Sequence, residues 1–159
     1  MKKSKKLLSL RALVRRLEKE RRRKKVVFTN GCFDILHVGH TRALRQARAL
    51  GDILVVGLNT DLSVRKIKGQ GRPVVHETER AEMLAALAPV DYVVFFPDPT
   101  PERVIRALRP DVICKGGDWT RKNMVGAAFV ESYGGKAVPL GYVKGFSTTR
   151  LLEKIKRLG

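Results

Sequence analysis

Five short apolar runs, separated from one another by segments with helical spacing, set the strongest limit on how this chain can fold. Each run is rich in β-branched or aromatic residues and is long enough for one buried strand. Strands that alternate with helices predict a mainly parallel sheet with helices on both faces. We therefore predict an α/β fold, a doubly wound, mainly parallel five-stranded sheet. The predicted strands are VVFTN (26–30), DILVVGLN (52–59), DYVVFF (91–96), DVICK (111–115) and KAVPL (136–140).

The segments between these strands carry the start and stop signals of helices. The run ETERAEMLAALA (77–88) has acids in its first turn, where the helix dipole favours them. A second helix is predicted to open at Thr100, with Pro101 at its first position. Residues 60–75, TDLSVRKIKGQGRPVV, are predicted to form a long loop. The remaining predicted helices cover 40–50, 120–135 and 147–159.

Residues 1–25 form a basic segment in front of the predicted sheet, so the two domains are predicted as 1–25 and 26–159. The segment holds 13 lysines and arginines against two glutamates, in a chain of net charge +18. Leu10, Leu13 and Leu17 recur at helical spacing, which predicts an amphipathic helix. We expect a solvated basic face and a role in packing or dimer formation. A tether to nucleic acid or another anionic surface is the alternative.

The rest of the composition indicates a cytoplasmic protein. The sequence has no apolar run long enough to span a bilayer, and no apolar signal segment follows its basic start. Its two cysteines, Cys32 and Cys114, are far apart and form no C-x-x-C motif. We therefore predict that both are reduced thiols.

The segment TNGCFDILHVGH (29–40) holds two of the chain's three histidines, at the turn from the first strand into a helix. A spacing of three places His37 and His40 on one face of the first helical turn. Free backbone N–H groups and the positive end of the helix dipole lie at the same place. With glycines and Asp34 nearby, we interpret the pair as a polyphosphate site rather than as capping or core histidines. Metal binding would need a third ligand, and none lies nearby in the sequence.

Three further polar loops are predicted at the same edge of the sheet, since ligands in such folds bind beyond the carboxyl ends of the strands. KIKGQGRP (66–73) supplies Lys68 and Arg72, KGGDW (115–119) follows the fourth strand, and GFSTTR (145–150) puts three hydroxyls at a helix start. A solvated loop, a structural turn and ordinary helix capping are the respective alternatives. The sequence has no G-x-S-x-G elbow and no Cys-His-Asp order. Direct displacement on phosphorus, with the protein positioning reactants and neutralising charge, is the chemistry that fits.

These motifs together resemble the H-x-G-H nucleotidyltransferase superfamily, which is also called cytidylyltransferase-like. GCFDILHVGH matches the first signature of that superfamily, and GFSTT matches its C-terminal S-T-T signature. LNTD, KGQGRPV, VDYVV, KGGDW and VGA add a resemblance to the bacterial subgroup that makes ADP-heptose from D-glycero-D-manno-heptose 1-phosphate. The resemblance runs from about residue 26 to the end of the chain. It implies the Rossmann-like nucleotidyltransferase fold.

The resemblance also implies roles for individual residues. The catalytic set would be His37, His40 and Lys68. The nucleotide-binding residues would be Asn30, Gly31, Phe33, Gly39, Arg80, Lys115, Gly116, Asp118, Ser147, Thr148 and Thr149. The residues near the acceptor substrate would be Asp34, Asn59, Asp61 and Arg72. Mg²⁺ would be bound mainly through the phosphates of ATP, without a side-chain metal motif.

The implied activity is an ATP-dependent adenylyltransferase that supplies a lipopolysaccharide precursor, ADP-heptose, and releases pyrophosphate. Glycerol-3-phosphate cytidylyltransferase and FAD synthase are alternatives within the superfamily, and a basic nucleic-acid-binding protein on the same fold is an alternative of another class. The implied partners are ATP, a sugar 1-phosphate and further copies of the chain. Many relatives fuse this domain to a sugar kinase, so we expect a separate heptose kinase. Neither a membrane nor a nucleic acid is expected as a partner.

Overall fold

A computed structural model describes residues 4–117, 119–141 and 145–158, which form one parallel sheet with helices on both faces. The strand order is β3-β2-β1-β4-β5, and every pairing is parallel. The predicted α/β fold with a five-stranded sheet is therefore confirmed. The strands are β1 (Val26–Gly31), β2 (Ile53–Asn59), β3 (Tyr92–Phe96), β4 (Val112–Lys115) and β5 (Lys136–Pro139).

Strand β1 lies in the middle of the sheet, with β2 on one side and β4 on the other. The chain winds outward from β1 in both directions, so the loops after β1 and β4 diverge at the carboxyl edge. In open α/β sheets this switch point is where ligands bind.

The described residues form seven α-helices, which occupy most of the segments between the strands. Their bounds are α1 (Leu10–Glu20), α2 (Val38–Arg48), α3 (Asp61–Lys68), α4 (Glu77–Ala86), α5 (Glu102–Leu108), α6 (Ala127–Glu131) and α7 (Thr148–Lys156).

The prediction of a long loop over 60–75 is wrong for its first half, which is helix α3. The Thr60 side chain caps this helix by accepting a hydrogen bond from the Ser63 N–H. Leu62 and Ile67 remain largely exposed, while Val64 is buried. The helix therefore lacks the repeating apolar stripe by which amphipathic helices are detected in a sequence.

The predicted helix over 120–135 is much shorter in the structure. Only Ala127–Glu131 is α-helical, and Arg121–Asn123 forms one 3₁₀ turn. Gly126 separates them because it adopts a left-handed conformation, with φ +86°. A Cβ atom there would lie 2.8 Å from Ile105 Cδ1, so the close packing against α5 also requires glycine.

Two apolar cores form because successive residues of each strand point to opposite faces of the sheet. Val26 and Phe28 belong to the core that α1, α5 and α6 cover, whereas Val27 belongs to the core that α2 and α4 cover. The basic α1 is part of the first core, since its Leu13 and Leu17 are buried there. Among the described residues, no helix is both long and apolar enough to span a membrane.

Candidate active site

A cleft of about 620 Å³ opens at the carboxyl edge of the sheet, over the switch point between β1 and β4. The loops that were predicted to meet there all contribute to its walls. The predicted site residues that line the cleft are Asn30, Gly31, Phe33, Asp34, His37, Gly39, His40, Asn59, Lys68, Arg72, Lys115, Gly116, Ser147, Thr148 and Thr149. Asp118 lies outside the described residues.

His37 and His40 form a stacked pair at the start of α2. Their ring centroids are 3.9 Å apart and their planes differ by 20°. His37 is the N-cap residue, and its carbonyl accepts the His40 N–H at 2.9 Å. The backbone N–H groups of Val38 and Gly39, at the start of the helix, have no acceptor within it, so they and the two rings offer donors to one ligand.

The buried Nδ1 atoms of both rings have no hydrogen-bond partner among the described residues. Burial lowers the pKa of His37. Burial, together with the charge of His37, lowers the pKa of His40 to about 4. At neutral pH both imidazoles are therefore uncharged, and each can donate one hydrogen bond. Buried polar groups are normally hydrogen-bonded, which marks the pair as a site for an incoming acceptor group.

Close packing fixes the orientation of the two rings. A Cβ atom on Gly39 would lie 3.0 Å from the His37 ring and 3.2 Å from Phe146 Cβ, so only glycine leaves room for His37. Phe33 packs against the other side, with its ring centroid 5.1 Å from that of His40. Phe33 itself has φ +46°, an uncommon conformation for an aromatic residue.

The N-terminus of α7 supplies a second set of donors to the cleft. Ser147 is the N-cap residue, and its side chain accepts the Arg150 N–H at 3.2 Å. Thr148 and Thr149 follow in the first turn and also line the cleft. Like the start of α2, this helix start favours an anion.

Two lysines add positive charge to the cleft. Lys68 is the exposed last residue of α3. Lys115 is more enclosed, so that burial lowers its pKa. Its Nζ donates to Asn30 Oδ1 at 3.4 Å and lies 4.2 Å from the centre of the Trp119 ring.

Asp34, which was predicted to lie near the acceptor substrate, lines the cleft but is bound by protein groups. It is buried, and its Oδ1 accepts the backbone N–H groups of Val74 and Val75 at 2.8 and 2.9 Å. Its Oδ2 accepts Arg72 Nε at 2.6 Å. Asp34 and Arg72 therefore bind one another at the edge of the cleft, and their charges largely cancel.

Arg80 and Asp61 do not line the cleft, although both were predicted to face it. Arg80 is fully buried on α4, and its Nη2 donates to Asp61 Oδ1 at 2.6 Å. Its other N–H groups donate to the carbonyls of Val75, Cys32 and Asn59. A guanidinium with four protein partners holds the loops in place and is not available to a nucleotide.

Several lining residues were missed by the sequence reasoning. They include Thr29, Cys32, Pro99, Thr100, Pro101, Trp119, Val125 and Phe146. The 99–101 group follows β3, so the rule that ligands bind beyond strand ends could have found it.

Cys32 and Cys114 are both free thiols. Burial raises the pKa of Cys114 to about 12, which makes that thiol inert.

The fold and the cleft define a class of protein, an α/β protein whose ligand-binding cleft lies at the switch point of a parallel sheet. Comparison with known proteins gives the family. The cytidylyltransferase-like family model matches residues 28–149, so the chain belongs to that family and is a nucleotidyltransferase.

Individual relatives agree with this assignment. The chain is 54% identical over 151 residues to the protein "Bifunctional protein HldE" of Citrifermentans bemidjiense, a match that covers 94% of this chain and 31% of that relative. The chain spans about a third of the length of the curated relatives it matches.

Two solved structures share the fold. The lipopolysaccharide core biosynthesis protein of Thermoplasma volcanium aligns with a TM-score of 0.61 and 25% identity, over 78% of this chain and 99% of that one. Pantothenate synthetase of Thermus thermophilus aligns with a TM-score of 0.67 over 96% of this chain and 70% of its own, at 16% identity. The second likeness concerns the fold alone.

Proposed function

We propose that this chain is an ATP-dependent sugar-phosphate adenylyltransferase that converts heptose 1-phosphate and ATP into ADP-heptose and pyrophosphate. The observation that carries the proposal is the stacked, uncharged pair His37 and His40 in the same cleft as the N-terminus of α7. The identity to relatives named HldE and the likeness to a lipopolysaccharide core biosynthesis protein support the choice of a heptose over other acceptors.

In this proposal the two helix starts bind the triphosphate. His37 and His40 donate hydrogen bonds to oxygens of the α-phosphoryl group, where negative charge builds in the transition state. Ser147, Thr148 and Thr149 hold the β- and γ-phosphates through the first turn of α7. Lys68, on its flexible stem, adds a positive charge as the pyrophosphate forms.

The reaction needs no protein nucleophile and no general base. A phosphate oxygen of heptose 1-phosphate forms the new bond to the α-phosphorus in line, while the bond from that phosphorus to the α,β-bridging oxygen breaks. The attacking phosphate is already ionised at neutral pH. Uncharged histidines are therefore suited to their role, which is to donate hydrogen bonds without taking a proton from the acceptor.

The opposite part of the cleft is suited to the sugar phosphate. Lys115 is a partly buried cation whose described hydrogen bond is a long one to Asn30, so it can bind a phosphate. Trp119 presents an aromatic ring beside it. Asn59 and the exposed Thr100 add polar groups for sugar hydroxyls.

Magnesium is proposed to enter with ATP. Asp34 is the one carboxylate among the described lining residues, and it is already bound to Arg72 and two backbone N–H groups. Across 4–117, 119–141 and 145–158, no three His, Cys, Asp or Glu side chains are grouped to hold a metal. The triphosphate oxygens would therefore be its main ligands, and the ion would neutralise phosphate charge.

Pyrophosphate release from the purified protein with magnesium tests this function. ATP and CTP should each be combined with heptose 1-phosphate, glycerol 3-phosphate and FMN. We expect release only with ATP and heptose 1-phosphate. Release with glycerol 3-phosphate and CTP, or with FMN and ATP, would replace the proposed substrate. Silence with every pair would contradict the proposed reaction.

A further inference from the structure

We propose that Arg80 is a positioning residue, which together with Asp34 holds the segments on either side of the turn at 69–71 so that Lys68 can reach the phosphates. This inference rests on the proposed role of Lys68. It gives two buried charges, Arg80 behind the cleft and Asp34 at its edge, a function in catalysis without contact to the substrate.

Arg80 connects three segments of the chain, namely the residue after β1, the junction of β2 with α3, and Val75. Its Nη1 donates to the carbonyl of Cys32, which follows β1. The same atom donates at 3.0 Å to the carbonyl of Asn59, the last residue of β2. Its Nη2 donates to Asp61, the first residue of α3. Its Nε donates to the Val75 carbonyl at 2.9 Å. One rigid side chain thus fixes where α3 begins and where the segment after the turn ends.

Asp34 provides the second attachment for that segment. It accepts hydrogen bonds from Arg72 and from the N–H groups of Val74 and Val75. Val75 is therefore held by its N–H to Asp34 and by its carbonyl to Arg80. The chain on the far side of the turn cannot shift without breaking bonds to a buried charge.

The turn between these attachments is exposed and is not packed against the rest of the protein at its two glycines. Gly69 and Gly71 have φ of +88° and +81°, and a Cβ atom at either would meet nothing within 4 Å. Lys68 directly precedes this turn and lines the cleft. Because α3 is held at its start and the chain after the turn is held at Arg72, Val74 and Val75, the tether restricts the positions that Lys68 can sample.

Lysine cannot replace Arg80 in this arrangement. A guanidinium presents a planar fork of donors, whereas an ammonium is a point charge that cannot reach four partners spread over this geometry. Arg80→Lys keeps the charge and removes the fork. Arg65→Lys, at an exposed position of α3, is the matched control.

Hydrogen exchange measured by mass spectrometry on the full chain tests the tether, with magnesium and α,β-methylene ATP as the probe. In wild type and Arg65→Lys we expect the nucleotide to slow exchange of residues 66–72 by about fivefold or more. In Arg80→Lys that slowing should be lost, while the nucleotide Kd changes less than about threefold and kcat falls by about 10²-fold. Equal slowing and equal kcat in Arg80→Lys and Arg65→Lys would overturn the inference.

Two features keep the result interpretable. If Arg80→Lys does not fold, Asp34→Asn loosens the other attachment with little change in shape, and it should also lose the slowing at 66–72. Unchanged slowing in Asp34→Asn would overturn the inference. The exchange experiment contains no acceptor, so it is independent of the proposed substrate. The wild-type chain could be inactive on heptose 1-phosphate and still show slower exchange that is lost in Arg80→Lys. That result would refute the substrate and support the tether.

Discussion

The two sides of the cleft use polar residues in opposite ways. The phosphate wall, formed by His37, His40, Ser147, Thr148 and Thr149, presents donors at two helix starts, and the buried Nδ1 atoms of its histidines have no partner among the described residues. The tethered wall, formed by Asp34 and Arg72 at the edge of the cleft with Asp61 and Arg80 behind them, binds its charges to one another and to backbone groups.

This difference separates binding from support. A buried donor without a protein partner carries a cost that a ligand removes when it binds, so the phosphate wall is complete only with a ligand. A buried charge with several partners is already satisfied, and its removal leaves the others unpaired. Substitutions on the phosphate wall should therefore affect activity, and those on the tethered wall should affect stability and loop geometry.

The largest expected effect is on the phosphate wall. His40→Ala should lower kcat about 10²–10³-fold, because it removes a donor aimed at developing charge, with little loss of stability. Pyrophosphate release measures the rate. His76→Asn is the control, since His76 is exposed and caps α4, a role that asparagine can also fill. An activity of His40→Ala close to that of His76→Asn would contradict the assignment of ligand binding to the phosphate wall.

On the tethered wall, Asp34→Ala should lower the free energy of unfolding by about 3 kcal/mol, because Arg72 and two backbone N–H groups lose their partner. Denaturant unfolding measures the change. The comparison predicts that this loss exceeds that of His40→Ala. A smaller loss in Asp34→Ala than in His40→Ala would show that the pairing does not stabilise the fold.

Acid should act on the phosphate wall through His40. Because the pKa of His40 falls from 6.5 in the unfolded chain to about 4 in the fold, the folded state binds fewer protons between these values. The contribution of His40 to the free energy of unfolding is therefore complete above pH 6.5 and is lost as the pH falls towards 4. Between pH 7 and 4.5 this histidine should account for a loss of about 2 kcal/mol in the free energy of unfolding.

Denaturant unfolding of wild type and His40→Asn at both pH values isolates that contribution, since the carboxylates titrate equally in the two proteins. The wild type should lose more stability than His40→Asn. Identical losses would mean that His40 is not buried as an uncharged ring.

The smallest effect is expected for Ser147→Ala. Loss of the cap bond to Arg150 should cost about 1 kcal/mol of stability. The nucleotide Kd should rise a few-fold, since the backbone donors of Thr148 and Thr149 remain. Calorimetric titration with α,β-methylene ATP measures this change. A loss of all nucleotide binding would show that the serine side chain itself is a principal ligand.

The sequence predicted the parts of this molecule that depend on local patterns. Short apolar runs indicated every strand of the sheet, and the spacing of His37 and His40 placed both at one helix start, where the structure has them stacked. GFSTT indicated the start of α7 in the same way. These features depend on neighbours within a few residues, and their chemistry can be read from the residue types alone.

Features that depend on distant contacts could not be predicted in this way. Helix α3 was missed because its apolar residues are mostly exposed and its stability comes from a cap and from Arg80. A motif also does not indicate which way a side chain points. Arg80 and Asp61 were predicted in the cleft but bind each other behind it, because the other partners of Arg80 lie just after β1, at the end of β2 and in the segment after α3.

The central claim, attack of a sugar phosphate on the α-phosphorus of ATP, is tested most directly by isotope labelling. Wild-type protein, magnesium and ATP should be incubated with heptose 1-phosphate whose phosphate carries ¹⁸O. The masses of the products should then be measured by mass spectrometry. The account predicts ADP-heptose that retains all of the label and pyrophosphate that contains none. Label in pyrophosphate, or no labelled nucleotide sugar, would contradict it.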